Sequence, residues 1–270
     1  VSFTNTYSKD IAITVWAGGS NVNDAYRVDA IVMAADILER EAAIRGENLN
    51  ITVETKYDFD GWGDFKQAVT LAAEAKKAPH IVVTGHGDIA PWSQSGLIRP
   101  IENYVDFDSW PLSDLFENLV EISSYEGVIY GVPQDAESRP FFAWIPHLKA
   151  IGYSDSDIRA MPGKVQRKEY TLDDVLNDAK KIQDAGLVKP GYGWYPRVSR
   201  GGDYWQFYQS FGGEMLDSNS GKLIFDRNAM KNFYAFFVKA VEMGVTRKNH
   251  IGTPWDQWYS EVASGKAGLW

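Results

Sequence analysis

The sequence predicts an α/β protein built on a doubly wound, mostly parallel sheet, and three observations predict it. Up to Thr84 the chain reads strand, helix, strand, helix, strand, the order that a doubly wound layer requires. The third strand, Ile81-Val82-Val83-Thr84, is apolar or β-branched at consecutive positions, which suits a parallel strand covered on both faces. It then stops on Gly85-His86-Gly87-Asp88, a polar, glycine-loosened loop at the carboxyl end of the strand, where open parallel sheets bind ligands.

Taken in order, the run Ile11-Ala12-Ile13-Thr14-Val15-Trp16 is the first strand, and it breaks at Ala17-Gly18-Gly19-Ser20-Asn21. Asn23 or Asp24 then caps a helix with Val28, Ile31, Val32, Ala35, Leu38 and Ala42 on one face, and Gly46 ends it. Residues 51–57 alternate as a second strand, and 64–77 form the next helix. After the third strand, Pro91 opens a short helix that Ser95-Gly96 closes. A short helix over 109–119 precedes a hairpin around Glu126-Gly127. Phe141-Phe142-Ala143-Trp144-Ile145 reads as a strand. A polar loop separates it from a helix that starts on a capping box at Thr171 and ends at Gly186. Gly191 to Trp194 is a short strand, 203–209 an aromatic helix, and Asp226 caps a further helix ended by Gly244. Thr253-Pro254-Trp255-Asp256 opens the last helix by cap, Pro at N1 and acid at N3, and an apolar strand begins after it.

Composition narrows the function. The 270 residues carry Lys+Arg 27 against Asp+Glu 36, a net charge of −9 with no basic tract, so nucleic acid and anionic membrane surfaces are poor partners. No cysteine is present, which excludes disulfides and thiolate metal sites. No run of 18 or more apolar residues exists.

Five stretches, in the same order as in the family, resemble the extracellular solute-binding proteins of ATP-binding-cassette importers, in the branch that includes maltose-binding protein. They are ITVWAGG on strand one, the third-strand unit ending in QSGLIRPI, YEGVIYGVPQDAES, YTLDDVLNDAKKIQDAG and SGKAGLW. The sequence departs from the family at Ala143-Trp144-Ile145, where members usually carry Tyr-Asn-Lys. The resemblance implies the two-lobed periplasmic-binding-protein type II fold, each lobe a mostly parallel sheet flanked by helices, joined by a hinge. It places lobe one at 1–134, lobe two at 135–264 and the start of a return crossing at 265–270. It further implies that the chain stops short of the family's length, so that each sheet lacks strands that a C-terminal portion of the same protein supplies. The implied partners are a carbohydrate ligand and a membrane permease. The implied location is extracytoplasmic, periplasmic or anchored at the cell surface, with no export signal in this chain.

Candidate site residues follow from loop position and chemistry. Ser20 and Asn21 follow strand one, and His86 and Asp88 follow strand three. By resemblance, Asp60 and Trp62 lie on a segment that binding proteins use to reach the ligand, and Glu137 aligns with an acid that binds ligand hydroxyls. Arg139, Trp194, Arg197, Tyr204 and Trp205 complete the set: planar charged groups take sugar hydroxyls, while aromatic faces stack on the C–H face of a pyranose ring. Trp255 and Trp258 lie in similar polar surroundings. For any single aromatic, packing is the plainer role.

Other chemistries fit less well. Gly85-His86-Gly87-Asp88-Ile89-Ala90 matches a dinucleotide fingerprint, but on a third strand followed by too short a helix. The segment 58–64 suggests a calcium loop but has Trp62 and Val69 where oxygen ligands are needed. His80, His86, His147 and His250 share no metal-ligand spacing, and no cofactor is implied. The rival function is a carbohydrate-active hydrolase using Asp135 and Glu137. Two apart on an extended segment, these acids share one face, whereas glycosidase carboxylates flank the bond.

Overall fold

Alternating burial along β1 (Ser8–Ala17), with Val15 and Ala17 fully buried, makes this strand the centre of the first sheet. The computed structural model describes residues 8–19, 22–198 and 201–270, and the chain divides into two units, Val1–Glu137 and Ser138–Trp270. After β1 comes a single 3₁₀ turn, Val22–Ala25, and then α1 (Tyr26–Ile44). Ala25 rather than Asn23 or Asp24 holds the N-cap position of this helix, and the Asp24 carboxylate accepts from Arg27 Nη1 at 2.7 Å. Val28, Ala35 and Ala42 are buried as expected, but Leu38 is not.

β2 (Asn48–Lys56) pairs in parallel with β1 from Ser8↔Asn48 to Trp16↔Lys56. α2 (Trp62–Glu74) follows, and β3 (Ile81–Val83) pairs with the opposite side of β1, giving the order β2-β1-β3. The parallel sheet is therefore the one expected, with one correction. β3 is an edge strand among the described residues, and Ile81 is 36% exposed rather than covered on both faces. Behind the sheet, Phe65 and Trp92 pack with Phe59 and Val69, Trp92 coming from α3 (Ile89–Gln94). α4 (Glu117–Ile122) precedes a hairpin of β4 (Ser124–Tyr125) and β5 (Val128–Ile129). Its two turn residues, Glu126 and Gly127, both have positive φ, the primed-turn geometry that matches strand twist.

The second unit is mainly helical. The strand expected at 141–145 is reduced to Phe142 and Trp270 exchanging backbone hydrogen bonds of 2.7 and 3.0 Å, because Ile145, with Pro146 in its first turn, already opens α5 (Ile145–Ala150). α6 (Asp155–Gln166) occupies what reads as a polar loop; its signal is the capping box of Ser154 and Asp157. α7 (Leu172–Asp184) starts as expected, Asp174 accepting from the Thr171 N–H and hydroxyl at 2.7 Å each. α8 (Asp203–Ser210), α9 (Arg227–Glu242) and α10 (Trp255–Ala263) follow. Asp226 caps α9 through the Ala229 N–H at 2.8 Å. α10 begins one residue late, with Pro254 at the cap position and the Thr253 hydroxyl turned back to the His250 carbonyl.

The middle of this unit is a place where backbones nearly touch. Trp194 bridges Leu269 in parallel and Ala143 bridges it antiparallel, so residues 265–270 bond inside the second unit. A Cβ at Gly193 would lie 2.5 Å from the Ala179 carbonyl oxygen, and one at Gly268 would lie 2.5 Å from the Gly193 carbonyl oxygen. This contact seats Leu269 and Trp194 in the core with Leu176, Ile182 and Ala240. Gly193→Ala should therefore destabilise the protein by about 1–3 kcal/mol, whereas Gly87→Ala, where nothing lies within 4 Å, should not. Thermal melting of both variants checks this; equal midpoints would refute the close approach.

Candidate functional site

The second unit holds a cavity of about 770 Å³. Its polar side chains converge on the first residue of α8. The Asp203 carboxylate accepts through one oxygen from Arg139 Nη1 at 2.8 Å and from Arg197 Nη1 at 3.2 Å, and Arg197 Nε forms an ion pair with the other oxygen at 2.8 Å. Position favours the acid there, since the N-terminus of a helix carries partial positive charge. The Arg197 guanidinium also lies over the Trp255 ring, 4.3 Å from its centroid. One turn along α8, Gln206 and Phe207 line the same cavity.

The remaining wall is largely aromatic. Phe142 stacks on Trp270 with centroids 5.7 Å apart, Trp144 tilts against Trp270 at 6.1 Å, and Trp255 stacks on Trp258 at 5.1 Å. Two of the indole N–H groups bond inside the protein: Trp144 donates to the Val262 carbonyl at 3.1 Å and Trp258 to the Pro196 carbonyl at 3.2 Å.

Arg139 and Arg197 are thus brought together on one cavity, which Asp203, Gln206, Phe142, Trp144 and Trp270, not among the candidates, also line. Three other candidates are placed differently. Trp194 borders the cavity but is 0% exposed, its ring packed against Phe207, Phe236 and Phe237. Tyr204 and Trp205 sit one and two residues past Asp203 and so leave the cavity face of α8. Tyr204 packs on Phe237 and donates to the Arg197 carbonyl at 2.8 Å, fixing the Arg197 loop from behind. Trp205, 46% exposed, contacts Tyr208 instead.

The first unit offers a separate cluster at the carboxyl end of β1. The Trp62 ring covers Gly18, where a Cβ would lie 2.1 Å from it. Arg27 is held beside it, 5.4 Å from Trp62 and 5.0 Å from Tyr26, and donates to the Gly18 carbonyl at 3.0 Å. Tyr26 donates to Asp135 at 2.9 Å. Trp62 stays 40% exposed. Asp60 and His86 are exposed, and Glu137 is exposed at the end of this unit. Asp88 is buried, and its carboxylate is bonded by the Thr84 hydroxyl and Lys66 Nζ, both at 2.5 Å. Ser20 and Asn21 lie outside the described residues. Among the described residues no three His, Asp or Glu are placed to hold a metal ion, and no helix is long and apolar enough to cross a membrane.

Two predictions follow from these contacts. Gly18→Ala must displace the Trp62 ring, so the tryptophan emission that Trp62→Phe removes from the parent should differ in the Gly18→Ala background; an identical difference would show that the ring does not rest there. Burial also holds His250 below its ordinary value of 6.5, its ring bonded to the Tyr204 hydroxyl and the Arg247 carbonyl. A histidine with a depressed folded pKa contributes stability that is complete above its unfolded value and lost as pH falls, because the unfolded chain takes the proton first. His147, likewise lowered by burial, adds to the same trend. The melting midpoint should fall between about pH 7 and about pH 5, and His250→Gln should flatten that slope. An unchanged slope would remove His250 from the balance.

The comparisons with known proteins agree with this architecture. The family model described as bacterial extracellular solute-binding protein matches residues 39–270. A search of curated protein sequences finds no match. Among solved structures, the GacH receptor of Streptomyces glaucescens, determined unliganded and with acarbose, is 18% identical with a TM-score of 0.67, covering 96% of this chain and 59% of its own. A solute-binding protein of Thermotoga lettingae TMO bound to α-D-tagatose is 17% identical with a TM-score of 0.67, covering 97% and 61%. A sugar transporter protein of Arthrobacter chlorophenolicus A6 with laminaribiose is 18% identical with a TM-score of 0.66, covering 96% and 60%. The chain thus spans about three fifths of the length of these structures, from 59% to 61%. At such identities the likeness shows the two-lobed fold, and the family model, matching most of the chain, shows the membership: this chain belongs to the bacterial extracellular solute-binding protein family.

Proposed function

We propose that the protein is the substrate-binding component of an ATP-binding-cassette sugar importer, which captures a carbohydrate outside the cytoplasm and hands it to a membrane permease. We read its two units as the two lobes of that fold. The observation that carries the sugar reading is the cavity of the second unit, where an Arg–Asp–Arg cluster meets aromatic faces in about 770 Å³. The named solved relatives hold acarbose, tagatose and laminaribiose, which supports a carbohydrate for this chain as well. On this reading the protein delivers its ligand unchanged. Asp135 supports that view, because its carboxylate is bonded to Tyr26 and it shares one extended segment with Glu137.

Glu137 is the acid we assign to ligand hydroxyls. Charge-assisted hydrogen bonds are worth roughly 1.5–3 kcal/mol each, so Glu137→Gln should weaken sugar binding about tenfold or more while the melting midpoint stays within a few degrees. Calorimetric titration with oligosaccharides, with the mixtures then analysed for cleavage, tests both points. Unchanged affinity removes Glu137 from the site, and product that disappears in the Glu137→Gln variant establishes a hydrolase.

A further inference from the structure

The charges that line the second-unit cavity do not balance. Among its described lining residues, Arg139 and Arg197 carry positive charge, Asp203 alone carries negative charge, and every other side chain is neutral. Asp203 also sits at the start of α8, an end of a helix that itself carries partial positive charge. Its carboxylate is shared, meeting Nη1 of Arg139 at 2.8 Å and Nη1 and Nε of Arg197 at 3.2 and 2.8 Å. A guanidinium has only donors, set in a planar fork, and two forks call for more acceptors than one carboxylate supplies.

The neutral groups lean the same way. The Trp255 and Trp270 indoles only donate, whereas the Ser138 and Tyr259 hydroxyls and the Gln206 amide both donate and accept. Asp203 is thus the one side chain of this described lining that only accepts, and both arginines bond to it. A sugar hydroxyl that accepts from a guanidinium still carries a proton that needs an acceptor of its own, which these side chains supply sparingly. An ionised carboxylate or phosphate oxygen has no such proton, takes several N–H donors at once and offsets the surplus positive charge.

Building on the carbohydrate reading above, we propose that the ligand is an acidic saccharide, a sugar whose carboxylate or phosphate group lies beside Arg139 and Arg197 while its ring rests on the aromatic wall. The arginine pair is then the specificity element, and it selects charge.

Calorimetric titration of the full chain with matched ligands tests this. D-galacturonate, D-glucuronate and D-glucose 6-phosphate are compared with galactose and glucose, digalacturonate with galactobiose, and all of them with acetate and inorganic phosphate alone. At least one acidic sugar should bind about tenfold or more tightly than its neutral parent, the ratio that one added charge-assisted hydrogen bond gives. Raising NaCl from about 50 to about 500 mM should weaken that sugar more than the neutral parent. Gln206→Glu puts a second acid on the cavity without touching the arginines, and it should bring the acidic-to-neutral ratio towards one. A uronate or the phosphate as the tightest ligand bears the inference out and identifies the anionic group. Neutral sugars that match or exceed their acidic partners overturn it and leave the carbohydrate reading standing. A ratio insensitive to salt, or unchanged in a Gln206→Glu variant that melts like the parent, overturns the placement of the anion beside the arginines. Acetate or phosphate alone binding as tightly as the acidic sugars, or no sugar binding at all, overturns the carbohydrate reading and this inference together.

Discussion

The carboxylate of Asp203 receives two guanidinium groups, Arg139 from the start of the second unit and Arg197 from the loop before α8, and the candidate site takes its shape from that junction. Two arginines side by side repel one another, and one acid between them turns repulsion into a joint. The joint fixes more than charge. Arg197 lies flat on Trp255, which stacks on Trp258, so the carboxylate sets the tilt of an aromatic pair on α10 through a guanidinium plane. Tyr204 holds the Arg197 backbone from the other side, with its own ring in the core. Removing the acid would leave two partly buried cations facing one another without the charge that joins them, a larger loss than the worth of either ion pair.

How much of this can be read from sequence depends on the range of the interaction. The β1-α1-β2-α2-β3 run is legible because periodicity and burial are local, and the Thr171 box marks α7 because the cap and its partner are three residues apart. α6 shows the opposite case. Its Ser154 box is as clear, but polar surroundings and Pro162 inside the helix mask the pattern. The strand expected at 141–145 fails through competition: a β-rich run meets the helix-opening Pro146, and the helix takes Ile145.

The site divides in the same way. Arg139 and Arg197 are visible as planar cations near aromatic loops, but their shared acid is 64 residues from one and 6 from the other, a pairing that no local pattern encodes. Trp194, Tyr204 and Trp205 look alike in sequence as aromatics beside glycine, proline and acids. Only the helix register of α8 and the packing of α9 separate a core ring, a loop support and a surface ring. Asp88 shows a related effect. A carboxylate in a strand-end loop reads as a ligand group, yet Lys66 from α2 reaches it and makes it part of the wall.

Gly193 and Gly268 show how packing and recognition are coupled in this fold. Because neither has a side chain, the segment before Trp194 and the segment before Leu269 approach until their backbones bond directly, the Leu269 N–H donating to the Gly193 carbonyl at 2.9 Å. That approach buries Leu269 and Trp194 on one side of the seam. The next residue along, Trp270, emerges into the cavity and stacks on Phe142. The core and the aromatic wall are therefore alternate residues of one extended segment, the two-residue period of a strand dividing its side chains between packing and ligand. A substitution that thickens the seam would move both at once, so the glycines constrain the ligand-facing wall without touching any ligand.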